Sequence, residues 1–271
     1  IIPLFFKISL VFPDKSFKGI ALRSVILFIF FSLSVSAKPF VTLKDGTDSY
    51  PLGLFVEILE DPTGKLSIVD VNKTESDKLF IKSKQKIPNY GYSKSAYWVR
   101  FKLKNRSKRK EWLLSFDTYY QNSILFFKKG KGGWIKEEVG DKLPFSERDI
   151  KFRPFVFNID GGYKDFYFFK IYSADGAGEF EMKVLSPLKF TQVETKSNLI
   201  YGIYFGLVIG MIFYNFFLFI STKKISYFYY TMYAVFFGLF VAKDRGYIPT
   251  YLFQDNPWFS NQFRPIITAL C

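Results

Sequence analysis

Residues Leu199 to Ile220 read LIYGIYFGLVIGMIFYNFFLFI, 22 positions without a formal charge. As a helix such a run crosses roughly 30 Å of hydrocarbon, so this stretch constrains everything on either side of it. Ser221-Thr222-Lys223-Lys224 then makes a polar turn. Residues 225–242 form a second apolar segment rich in Phe and Tyr, and 263–271 resemble the start of a third. The chain is therefore expected to be a multi-pass protein of the inner (cytoplasmic) membrane. Residues 17–37 carry the pattern of an export signal: Lys18 and Arg23, an apolar run from Ser24 to Leu33, and the small residues Ser34-Val35-Ser36-Ala37 before a cleavage point. An uncleaved anchor is the alternative. Either way the segment after it faces out of the cytoplasm, and orientation rests on that signal.

The intervening residues, 44–189, alternate. Val99, Phe101 and Leu103 fall on one face of a strand and Arg100, Lys102 and Lys104 on the other. Short runs of the same kind recur at 112–116, 123–128, 133–138, 154–159, 166–172 and 179–185, separated by turn residues such as Lys129-Gly130-Lys131-Gly132-Gly133. The fold class expected is mainly β, an antiparallel β-sandwich followed by transmembrane α-helices. Residues 186–196, with Pro187, would be a short tether between the last strand and the first span.

The chain has no histidine and a single cysteine, Cys271. Histidine-based acid–base catalysis, His-ligated metals and a disulfide within the chain are thereby excluded. Asp141 with Glu147 or Asp149 is the one tight acidic grouping. Its spacing matches no calcium-binding loop, and no catalytic residue, metal or cofactor is assigned. The net charge of +14 is scattered through the alternating segments rather than gathered in a patch. An exported domain with that distribution suits anionic ligands or lipid head groups better than nucleic acid.

Candidate ligand-binding residues are rings near turns or on outward strand positions, Tyr90, Tyr92, Trp98, Tyr119, Tyr120 and Trp134, with Arg100, Arg148 and Arg153 as partners for an anion. Each has an ordinary structural alternative in the core or at a sheet edge. In the first span Gly202, Gly206 and Gly210 share one face, which permits close approach of another helix within a bundle or in a homodimer. Asn215 is expected to bond a neighbouring helix, and Trp258, in the loop between the second and third spans, to lie at the outer interface.

The order of segments resembles a bacterial family. Leu59-Glu60-Asp61-Pro62-Thr63-Gly64, then residues 89–101 (NYGYSKSAYWVRF), then 140–148 (GDKLPFSER) are similar to the type 2 extracellular domain of the seven-transmembrane receptors with diverse intracellular signalling modules. Residues 152–157, 185–187, 204–219, 226–230 and 255–258 extend the likeness. It implies a jelly-roll-like sandwich related to carbohydrate-binding folds, a seven-helix membrane domain, and a cytoplasmic kinase or cyclase output. It carries over no catalytic residues. The expected function is that of a membrane receptor whose periplasmic sandwich binds a small molecule or saccharide. The alternative is a structural or protein-interaction module of the envelope.

Overall fold

The computed structural model describes residues 40–262 except 120, 164 and 173–176. The export signal at 17–37, Tyr120 and the third apolar segment lie outside the described residues.

Thirteen strands follow in order: β1 (Phe40–Leu43), β2 (Ser49–Pro51), β3 (Glu57–Asp61), β4 (Ile81–Lys82), β5 (Asn89–Tyr92), β6 (Ala96–Asn105), β7 (Glu111–Phe116), β8 (Ser123–Gly130), β9 (Gly133–Val139), β10 (Phe155–Asp160), β11 (Tyr167–Tyr172), β12 (Ala177–Glu179) and β13 (Met182–Leu185). The larger sheet runs β4-β3-β6-β11-β8-β9, with β1 also on β6; the smaller runs β10-β7-β13-β2, and β5 pairs with β12 as a separate ribbon. All pairings are antiparallel except β1 with β6. The chain is thus an antiparallel β-sandwich followed by two long apolar helices, as its alternation predicts.

The core between the sheets is aromatic. Tyr97, Val99, Phe101 and Leu103 of β6 meet Phe126, Phe157, Phe169 and Met182 from the facing and neighbouring strands. Phe126 and Phe169 stack at 4.8 Å, and Phe116 meets Phe169 edge-on at 5.3 Å. Burying rings at this density stands in for the disulfides the chain lacks, at about 25 cal/mol per Å² of apolar surface.

The outer face of the larger sheet departs from simple alternation. Residues 62–80 fold over it and bury Trp98 completely. A short helix, α1 (Ile68–Val71), starts this cover with a reciprocal capping box between Ser67 and Asp70. Arg100 fixes its far end. The guanidinium lies 4.0 Å from the Phe80 ring and 4.6 Å from Phe166, and donates to Glu57 at 2.8 Å and to Asp77. Lys170 fixes the near end by donating to the carbonyls of Gly64 (2.6 Å) and Leu66 (2.8 Å).

Glu137 on β9 is half-buried close to Asp149; burial, with Asp149 second, pushes its carboxyl up to about 7. A carboxyl whose folded pKa exceeds its ordinary value of 4.5 stabilises the fold below about pH 4.5, and loses that contribution as pH rises through 7. Stability should therefore fall by about 1 kcal/mol over that window after solvent screening is allowed for. Urea titrations at pH 5 and pH 8 should show the difference, and Glu137→Gln should remove it.

Two long helices follow the sandwich: α2 (Pro187–Thr222), 36 residues, and α3 (Ile225–Asp244), 20 residues. Both are long and apolar enough to cross a membrane. Lys223 turns the chain between them in the left-handed conformation, at φ 56°.

Candidate functional site

No tether separates sandwich from helix. Leu185 ends β13, and buried Ser186 caps α2 by accepting from the Lys189 amide at 3.1 Å, with Pro187 in the first turn. The Ser186 amide itself donates to the Asp48 carbonyl at 2.9 Å. At 36 residues α2 is about 54 Å long, some 24 Å more than hydrocarbon requires. Most of the surplus, residues 187–198 or about 18 Å, lies beside the sandwich. Phe190 packs with Val156 and Leu185 on the outer face of the smaller sheet, and meets Phe152 edge-on at 4.8 Å.

The register fixes direction. Leu185 of β13 is opposite Leu113, near the start of β7, while Phe116 at the end of β7 is opposite Met182 and Phe155. From Ser186, α2 runs back across this sheet and leaves it at the end that carries residues 117–119, 121–122 and 140–154. That end faces the membrane segments.

Arg153 holds the exit. Its side chain is 2% exposed, and Nη2 donates to Glu194 Oε2 at 3.2 Å and to Ser197 Oγ at 3.1 Å on α2. Nη1 donates to the Arg245 carbonyl, just past α3, at 3.0 Å. The guanidinium also lies 4.3 Å from the Tyr247 ring and 5.6 Å from Tyr119. One side chain from the sandwich thus binds both membrane helices. Phe190, Glu194 and Ser197 reach this line because spacings of four and three place them on one helical face. Arg148 braces the loop behind Arg153, donating to the carbonyls of Phe152 (3.3 Å), Arg153 (3.4 Å) and Gly140 (3.5 Å), and burial pulls its guanidinium down to about 10.

The segment after α3 closes the junction from the other side. The Phe145 amide donates to the Gln254 carbonyl at 2.7 Å, Asn261 Nδ2 to the Asp141 carbonyl at 2.9 Å, and Ser146 Oγ to Asp255. The gap lined by Asp141, Phe145, Arg148, Pro249 and Phe253 measures about 10 Å³, no more than one water. Gly246 makes the turn at φ +75°, and a Cβ there would lie 2.9 Å from Tyr119 Cδ1. Gly246→Ala should cost about 1–2 kcal/mol in left-handed strain, plus displacement of Tyr119. Gly64→Ala, at φ +65° with nothing within 4 Å, is the control for strain alone. Urea unfolding should place Gly246→Ala below the control.

The sequence candidates separate into three places. Arg148, Arg153 and Tyr119 meet at this junction as buried or half-buried structural groups, not as an open anion site. Trp98 and Arg100 lie under the 62–80 cover, and half-buried Trp134 packs edge-on against Phe168 at 5.6 Å, so Trp98 offers no free face. Tyr90 and Tyr92 are exposed on β5. Tyr90 stacks on Tyr97 at 4.6 Å, while Tyr92, 86% exposed, projects freely. In α2 the face of Gly202, Gly206 and Gly210 has nothing within 4 Å among the described residues. The close approach to α3 is made instead at Gly238, whose Cβ would meet Val208 Cγ1 at 3.2 Å. Among the described residues Asn215 Nδ2 donates to the Met211 carbonyl of its own helix at 2.9 Å. A side chain four residues on from a carbonyl reaches it without leaving the helix. Sequence reasoning missed Glu194, Ser197, Gly246 and Tyr247. The signal available was Glu194, an acid on the same face as Phe190 just ahead of the charge-free run. Among the described residues no group of three or more His, Cys, Asp or Glu is placed to hold a metal ion.

A β-sandwich joined through a helix to a helical membrane segment defines a membrane receptor architecture. Two family models match it in succession: residues 53–186 match 7TMR-DISM extracellular 2, and residues 197–271 match 7TM diverse intracellular signalling. The chain belongs to the bacterial seven-transmembrane receptors with diverse intracellular signalling modules. The unmatched interval between them is the part of α2 that lies on the sandwich. No curated protein matches the chain.

Proposed function

We propose that the sandwich, in the periplasm, binds a small-molecule or saccharide ligand and passes the resulting displacement through α2 and α3 to a cytoplasmic output. The observation that supports this is the Arg153 cluster, one buried guanidinium bonded to α2 and to the end of α3 at once. A shift of the loop that carries it acts on both helices together. The absence of any flexible residue between β13 and α2 supports the same reading, since a rigid join transmits what a coil would absorb. For the ligand surface the best support is the β5–β12 ribbon, where Tyr90 and Tyr92 present rings to solvent. The open glycine face of α2 suits contact with other helices of the bundle or with a second copy.

Calorimetric titration of the chain in nanodiscs against a glycan panel tests the ligand reading. Binding weakened about tenfold by Tyr92→Ala, the loss of one stacked ring, is expected. An affinity indifferent to both Tyr90→Ala and Tyr92→Ala would remove this surface from the account.

A further inference from the structure

We propose that the segment after α3 is a bilayer anchor, with Tyr251, Leu252 and Trp258 entering the boundary between headgroups and acyl chains of the outer leaflet. The inference rests on the reading that α2 and α3 cross the membrane.

Both ends of the segment are tied to the level at which the helices leave hydrocarbon. Tyr247 Oη donates to Asn198 Oδ1 at 3.2 Å, one residue before the charge-free run begins at Leu199. At the other end Lys243 Nζ, in the last turn of α3, donates to Ser260 Oγ at 3.0 Å and Asn261 Oδ1 at 3.2 Å. Between these ties the segment has two faces. Ile248 and Thr250 are buried, whereas Tyr251, Leu252 and Trp258 are 63%, 65% and 69% exposed.

The segment is also built to hold that shape. Residues 248–252 form a π-helical turn closed by the Phe253 amide on the Ile248 carbonyl at 3.1 Å. Phe253 and Phe259 pack at 4.7 Å, and Asn256 Oδ1 accepts from the Phe259 amide at 3.0 Å. A free loop would let three large apolar side chains fold inward; this one fixes them outward.

Continuity with the membrane-facing helices favours lipid as the occupant. A line of rings leads from α2 to the segment: Phe205 and Tyr201 contact Tyr247 at 5.3 and 5.9 Å, and Tyr247 contacts Tyr251 at 6.2 Å. Trp and Tyr, with an apolar body and one polar atom, are the side chains that suit the layer where hydrocarbon gives way to headgroups. Because Gln254 and Asn261 also bond the sandwich, the bilayer surface then bears on the same floor that carries Arg153.

Trp258 can be isolated, since Trp98 and Trp112 are buried and Trp134 is half-buried. The chain is placed in phosphatidylcholine nanodiscs with acyl chains brominated either near the carbonyl or near the methyl end. Emission is taken as wild type minus Trp258→Phe. The difference signal should be blue-shifted, lost mostly to the shallow bromines, and insensitive to acrylamide. Quenching by acrylamide without quenching by bromine would put Trp258 in water and overturn the proposal. Insensitivity to both would overturn it in favour of further helices or a second copy as the cover. Phe213→Trp in the Trp258→Phe background, again by difference, reports the span itself. Quenching there by the deep bromines, with none at Trp258, rejects the anchor and leaves the membrane reading standing. No quenching at either site rejects the span.

Discussion

Arg153→Ala is expected to destabilise the chain by about 3 kcal/mol and to free the start of α2 from the sandwich. The magnitude follows from burial. With 2% and 10% of their side chains exposed, Arg153 and Glu194 are paired where water cannot take over either charge. Removing the guanidinium strands the Glu194 carboxylate and leaves the Ser197 hydroxyl and the Arg245 carbonyl without this donor. Glu194→Ala should be at least as costly, because a buried guanidinium cannot shed its proton to escape. Replacing both, as Arg153→Met with Glu194→Leu, should recover much of the loss, since an apolar pair needs no solvation. Urea unfolding in nanodiscs, followed by near-ultraviolet aromatic signals, gives the cycle. Single variants within about 0.5 kcal/mol of wild type would show that the pair does not hold the junction.

The second large effect concerns where the sandwich ends. A fragment spanning residues 40–198 should fold, whereas one spanning 40–189 should be less stable by about 5 kcal/mol. The shorter fragment lacks Phe190, whose burial is worth about 2–3 kcal/mol, and leaves Arg153 unpaired for about 3 kcal/mol more. Against a total of roughly 5–15 kcal/mol for a domain, that loss should leave much of the shorter fragment unfolded at 37 °C. Thermal unfolding of the two fragments side by side measures it, and equal midpoints would mean that the first turns of α2 contribute nothing to the sandwich.

That comparison also shows what the sequence could and could not disclose. By pattern the sandwich ends at residue 189, because the alternation stops near Pro187 and residues 186–196 read as a tether; Glu194 on the face of Phe190 is the one local sign that helical turns there lie on a sheet. The strands themselves were readable: β6 buries Val99, Phe101 and Leu103 as its alternation requires. Its other face was not. Alternation places Trp98 and Arg100 outward, and they do point away from the central core. Only the long-range fold of residues 62–80 covers them, using Arg100 between two rings and Lys170 on two carbonyls, contacts far apart in sequence. The junction was hidden for the same reason. Arg153 is one basic residue among many in the sequence; its partners are 41 to 92 residues away. The membrane spans, by contrast, are local in composition and therefore legible.

With no coil between them, the sandwich and α2 should move as one rigid unit from β13 to the membrane. Amide hydrogen exchange across residues 187–198 tests it most directly. Protection there should be comparable to β13 and continuous into Leu199, and should fall selectively in Arg153→Ala. Rapid exchange at 187–198 in the wild-type chain, with β13 still protected, would make the segment a flexible tether and contradict the account.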